Sequence, residues 1–293
     1  MPLNTYLKIL LLVAVVLMSC NTNRQVRIVG TLIYSNGGNR INAIVFHRYG
    51  YDVSTLYRGK GISTINNITN IDDRSLVFDE CSGGECSIKL YHNDSGEVTT
   101  LRSGRFPVYV PNQKKLFFYD EGNSGGLFMA SMDDVKNAVK LSKEPSWLTH
   151  SSGIKQPLVM PIVQISDDNV VFVGKDNGLW VYHVSDSKLT AMGIDNCRPI
   201  LWRRRSQQLL CADWNAWNIY LMNMSTRNKI DLPELNGGYG FIYIPSTDAL
   251  IYGRTRSSFV FDEAYDIFFY NFADKKEQKI YKNAHLSAGI WIE

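Results

Sequence analysis

Pro199-Ile-Leu-Trp-Arg-Arg-Arg-Ser-Gln-Gln-Leu-Leu-Cys211 reads as a short apolar strand, a polar turn and a second short apolar strand. The same plan recurs at Pro107–Tyr119, Pro161–Val173 and Phe241–Tyr252, with weaker copies ending at Ile44-Val-Phe46 and Leu76-Val-Phe78. A further element follows in one register: Ile88-Lys-Leu-Tyr, Leu127-Phe-Met-Ala, Leu179-Trp-Val-Tyr, Ile219-Tyr-Leu-Met and Ile267-Phe-Phe-Tyr. A polar tail and a fourth strand, such as Lys188-Leu-Thr-Ala or Lys229-Ile-Asp-Leu, complete the unit. Apolar residues recur at every second position, the strand period, and Gly, Asn, Asp and Ser fill the gaps. No stretch keeps a 3.6-residue stripe, so little helix is expected.

Four antiparallel strands repeating about every 40 residues are the signature of an all-β propeller, whose blades stay stable only when the ring closes. Counting second strands predicts a six-bladed β-propeller over residues 28–293. The strand-like run from Arg27 to Tyr34 keeps seven blades as the alternative. Closure is legible at the end of the chain. Gly289-Ile-Trp-Ile-Glu293 matches the innermost strand of a blade, as in Gly240-Phe-Ile-Tyr-Ile-Pro245, and Ala43-Ile-Val-Phe-His47 is the expected second strand beside it.

The repeat around Pro199, Trp202, Leu209-Leu-Cys211 and Asn218-Ile-Tyr-Leu-Met-Asn-Met224 resembles that of the TolB-like propellers of bacterial envelopes, over nearly all of residues 41–293. Their Ser-Pro-Asp-Gly turn is replaced here by Arg203-Arg-Arg-Ser, Pro111-Asn-Gln-Lys and Ser166-Asp-Asp-Asn. TolB-like proteins also carry an additional N-terminal domain, for which this sequence leaves no room. The expectation is a TolB-like repeat domain that is not a TolB orthologue, and the fold does not confer a function.

Residues 1–19 read as a targeting segment: Lys8 precedes the ten-residue apolar run Ile9–Met18, half of the ~20 residues a membrane span needs. Leu17-Met-Ser-Cys20 resembles the lipobox of bacterial lipoproteins, although Met18 is less usual there. That resemblance implies lipidation of Cys20 with two or more acyl chains, enough for stable anchoring. The alternative is an ordinary cleaved signal that leaves Cys20 free. Asn21, in place of the aspartate that commonly retains such proteins at the inner membrane, points to the outer membrane facing the periplasm. Residues 20–27 then form a short tether.

The remaining Cys81, Cys86, Cys197 and Cys211 are an even set suited to an oxidising compartment. Cys81 and Cys86 flank a Ser-Gly-Gly-Glu turn, and Cys197 and Cys211 lie symmetrically about Arg204, so each pair is expected to bridge a hairpin. Zinc at Cys81 and Cys86 would need further ligands, and the five His residues form no such cluster, so neither metal nor cofactor is expected.

The chain is 45% hydrophobic with a net charge of +3, which excludes disorder and gives no ground for a nucleic-acid partner. Serine-elbow, zincin, phosphate-loop and dinucleotide motifs are absent, so no catalytic residue is assigned. Turns between first and second strands fall on one rim and collect Arg74, Lys114, Lys115 and Arg203–Arg205. Loops between second and third strands fall on the other and collect Asp79, Glu80, Asp120, Glu121 and Asp213, beside Trp214 and Trp217. The two rims are therefore expected to differ in sign. The acidic, Trp-bearing rim is the candidate binding face, for an envelope protein or, alternatively, for a glycan bound or cleaved there. The acidic pairs Asp72-Asp73 and Asp167-Asp168 read as turn residues. The longer interval Ser142–Met160, with Trp147 and His150, is a further loop candidate.

Overall fold

The apolar runs fold four to a sheet. The computed structural model describes residues 28–36, 38–120, 125–143, 162–174, 178–213, 218–255 and 265–293. At the N-terminal end come β1 (Gly30–Ser35), β2 (Arg40–His47) and β3 (Gly50–Arg58). The second blade holds β4 (Thr64–Asp72), β5 (Ser75–Ser82), β6 (Glu85–His92) and β7 (Val98–Ser103). In the third are β8 (Arg105–Val110), β9 (Lys115–Asp120), β10 (Gly126–Ser131) and β11 (Asp134–Lys143). The fourth holds β12 (Ile162–Gln164), β13 (Asn169–Val173), β14 (Leu179–His183) and β15 (Lys188–Ala191). β16 (Arg198–Arg203), β17 (Gln208–Ala212), β18 (Ile219–Asn223) and β19 (Lys229–Asp231) form the fifth. The sixth is β20 (Gly238–Ile244), β21 (Ala249–Thr255), β22 (Tyr265–Asn271) and β23 (Lys276–Lys282), after which β24 (Ala288–Ile292) ends the chain.

First strands neighbour one another in an unbroken circle, β4 to β8, β12, β16, β20, β24 and back to β4. This is a six-bladed propeller. Each of its joints holds one apolar cluster, six clusters in all. Blades are thus apolar on both faces, which explains why second strands are continuous apolar runs: Leu76, Val77 and Phe78 are all fully buried, as are Leu116 to Tyr119.

The closing blade runs β24-β1-β2-β3 and joins the two ends of the described chain. Here one sequence expectation is corrected. The second strand is β1, paired as Leu32↔Trp291 and Tyr34↔Gly289, while Ala43–His47 lies in β2, the third strand. The run that kept seven blades open is therefore the second strand of this closing blade. Gly30 makes this possible: its φ is +145°, and a Cβ there would stand 2.4 Å from the Trp291 ring.

Turns between first and second strands share a rim with those between third and fourth strands; the other connections lie on the second rim. Both disulfides form as hairpin bridges, Cys81–Cys86 across β5 and β6 and Cys197–Cys211 across the first hairpin of the fifth blade. Cys81 and Cys86 are half-buried near their hairpin tip, whereas Cys197 and Cys211 are fully buried. Mild reductant and alkylating agent should therefore label Cys81 and Cys86 in the folded protein and leave the other pair oxidised until it unfolds. Peptide mapping reads this directly, and equal labelling of both pairs would refute it. Reduction of the buried pair should cost about 3 kcal/mol, the value for a loop of ~15 residues.

Candidate functional site

The second rim carries an open cleft of about 1130 Å³ over the tip of the second blade, reaching from Tyr57 and Lys60 to Arg102 and Asp120. Glu80, at the end of β5, is its centre. Tyr57 Oη (3.0 Å), Ser63 Oγ (2.5 Å) and Lys89 Nζ all donate to its carboxylate. Burial alone would push this carboxyl up, but the three donors outweigh it and hold Glu80 below the ordinary carboxylate range. Lys89 moves the other way: burial favours its neutral form, yet Glu80 raises it overall and keeps the ammonium charged. A charged, paired lysine is no general base, so the cluster offers fixed charge and hydrogen bonds instead of proton transfer. Gly59 packs directly against it: a Cβ there would lie 1.8 Å from Glu80 Oε1, so any larger residue would have to displace the carboxylate.

Asp120, at the far side of the cleft, accepts from Arg102 at 3.1 Å, and the Arg102 guanidinium lies 4.5 Å from the Phe118 ring centre. Both groups are mostly buried, so the pair is held by its surroundings and not by surface charge alone. Asp79 does not reach the surface. Fully buried on β5, it accepts the amides of Asn66 (3.0 Å) and Asn67 (2.7 Å) on one oxygen and of Phe106 (3.0 Å) on the other. Those amides sit at ladder irregularities in β4 and β8, where the register skips from Ile65 to Ile68 and from Arg105 to Val108. Burial raises the Asp79 carboxyl, and the amide bonds partly offset it. Asp79 is thus the clasp between the second and third blades.

Asp213 accepts from Asn218 at 2.8 Å at the head of the loop between β17 and β18. Glu121, Trp214 and Trp217, together with Trp147 and His150 of the long interval, lie outside the described residues. Among the described residues the two rims do not divide by sign. Second-rim carboxylates are matched by Lys89, Arg102 and, at Asp266, Lys279 (2.7 Å). On the first rim the turns between third and fourth strands add Asp94, Asp133, Asp186 and Asp274, which the sequence reading did not place there. Asp72 and Asp168 serve as turn residues, accepting the amides of Arg74 and Ser185 at 2.8 and 2.7 Å.

Missed by sequence reasoning were Tyr57, Ser63 and Lys89, which come from three different strands or loops and have no spacing signal. A second groove, about 490 Å³, lies between the sixth and closing blades and is lined by Tyr34, Tyr265, Tyr281, His285, Asn42 and Asn283 among others. Burial pushes Tyr34 up to about 12, so it is a neutral phenol at neutral pH.

No protein-family model matches the chain, and no curated protein sequence does. Among solved structures, TolB from Acinetobacter baumannii is similar at a TM-score of 0.65 with 9% identity, covering 90% of this chain and 66% of that one. A protein assigned as TolB from Agrobacterium tumefaciens gives 0.55 and 8%, over 88% and 92%. A Bacteroides caccae protein of unknown function gives 0.57 and 11%, over 91% of this chain and all of that one. This chain thus has the fold of the TolB propellers and spans about two thirds of the Acinetobacter chain.

Proposed function

We propose that this protein is a lipid-anchored propeller of the bacterial cell envelope that binds another protein through its second rim and performs no chemistry itself. The observation that carries the reading is the cleft around Glu80: its buried carboxylates, Glu80 and Asp120, are both committed to ion pairs, so it presents a preorganised polar surface. Rigid presentation limits the ordering cost of binding. The two disulfides suit an oxidising compartment, and the Leu17–Cys20 lipobox resemblance supplies the anchor. Confinement to a membrane surface raises the effective concentration of a partner held there. A glycan-cleaving reading would need two carboxyl groups about 5–10 Å apart and available for acid and base roles. The Tyr- and Asn-lined groove is the feature that favours glycan binding as the second reading.

The test is crosslinking in intact envelopes followed by quantitative recovery. The Trp214→Ala/Trp217→Ala protein and a separate Arg58→Glu/Lys60→Glu protein should each lose about tenfold of a common protein partner, the yield expected when ~1.4 kcal/mol of interface energy is removed. Equal recovery of the same partners by both variants and the unaltered chain would rule out the second rim as the binding face.

A further inference from the structure

We infer that the sector of the first rim formed by the fifth, sixth and closing blades docks on an anionic phospholipid surface. The inference rests on the proposed anchor at Cys20 and adds which face of the ring meets the bilayer.

The described chain starts at Ile28, and β1 begins on the first rim, opposite the C-terminal end of β24 (Thr31↔Ile292). Residues 21–27 can span at most about 25 Å when fully extended, so an acylated Cys20 holds this rim close to the membrane. Charge within the rim is divided by sector. Arg204 and Arg205 in the fifth blade, Lys275 and Lys276 in the sixth and Arg48 in the closing blade are all exposed. Acidic groups in this sector are engaged locally. Asp248 is clamped by Arg203, Asp52 accepts from His47 at 2.7 Å, and Glu293 and Asp274 accept the amides of Ser246 and Lys276. The opposite sector is net acidic, Asp72, Asp73, Asp94, Asp133, Asp167 and Asp186 outnumbering Arg74, Lys114 and Lys115.

Beside the point where the chain enters, Tyr49, Val29 and Tyr51 are exposed to 87%, 67% and 50%. Arg48 lies 5.4 Å from the Tyr49 ring centre. Tyrosine with arginine or lysine is the pair that settles at the headgroup level of a bilayer. Each basic group near an anionic surface multiplies affinity about fivefold, and the acidic sector is repelled. The ring therefore tilts, basic edge down, leaving the second rim and its cleft facing the aqueous side.

The test uses the chain purified from envelopes and placed on neutral phosphatidylcholine vesicles or on vesicles about one third phosphatidylglycerol. Sedimentation with neutral vesicles reads the anchor alone. Hydrogen exchange reads the docking: residues 47–50 and 203–207 should exchange about tenfold more slowly on anionic vesicles, while 93–96 and 166–169 stay unchanged. Salt near 1 M, with a Debye length of about 3 Å, should abolish the protection. So should Arg204→Glu/Arg205→Glu/Lys275→Glu, with an unchanged circular-dichroism melt and unchanged sedimentation. Equal exchange on both vesicle types, or protection that survives the triple substitution, overturns the docking. A chain that fails to sediment with neutral vesicles overturns the anchor only. Docking is then read from sedimentation with anionic vesicles at low salt, and a chain that stays in the supernatant there overturns it.

Discussion

A chain ending at Ser287 should lose its single sharp melting transition and unfold far below the full-length protein. Without β24, β1 keeps one ladder partner in place of two, and the pairs Thr31↔Ile292 to Ser35↔Ala288 vanish. Trp291 packs on Phe46 with ring centres 6.0 Å apart, while Ile290 and Ile292 cover the opposite joint, so two of the six clusters lose a wall. An open ring also leaves two blade faces unmatched. The loss is of order 5 kcal/mol or more, comparable with the whole stability of a typical domain. Adding a synthetic Ala-Gly-Ile-Trp-Ile-Glu peptide should restore part of the transition by pairing with β1 in trans. A truncated chain that melts with the full-length protein would show that closure does not depend on β24.

The second large effect is expected at Asp79→Ala. The substitution leaves three buried amides, those of Asn66, Asn67 and Phe106, without their acceptor. At about 1–3 kcal/mol for each unsatisfied buried group, less what relaxation recovers, a loss of ~3–5 kcal/mol follows. That corresponds to a fall of about 10 °C in Tm for a chain of this size. Asp79→Asn should fall between, because its Oδ1 still accepts while its amide group meets the Phe106 N–H as a second donor. Asp94→Ala, on an exposed turn, is the control and should leave Tm unchanged. An Asp79→Ala protein that melts with the control would remove the clasp assigned to this residue.

How far the sequence could be read differs from element to element, for physical reasons. The third-strand register from Ile88 to Ile267 and the hairpins carrying the cysteines were legible because they are local: each is set by residues a few positions apart. The terminal strand was legible because Gly289-Ile-Trp-Ile repeats an inner-strand pattern. Its neighbour was misread, since Leu32-Ile-Tyr34 and Ile44-Val-Phe46 are equally short and apolar, and only the three-dimensional register separates them. Asp79 resembled a rim carboxylate because its sequence neighbour Glu80 is one. The pleat sends the two side chains to opposite faces of β5, one into the joint with the third blade and one into the cleft. Charge on the first rim was half-read, because the turns between third and fourth strands were not assigned to it.

The two cysteine pairs have a consequence for how the protein is made. Each cysteine's partner is the next one in chain order, five residues on for Cys81 and fourteen for Cys197. A polypeptide threading into an oxidising space from its N-terminus presents Cys86 soon after Cys81, well before Cys197 arrives. With Cys20 acylated, as proposed above, and so withheld from pairing, sequential oxidation yields the native bonds directly, and thiol–disulfide reshuffling, the slow step for crossed pairings, is not needed. Oxidative folding of this propeller in such a space therefore needs no disulfide isomerase.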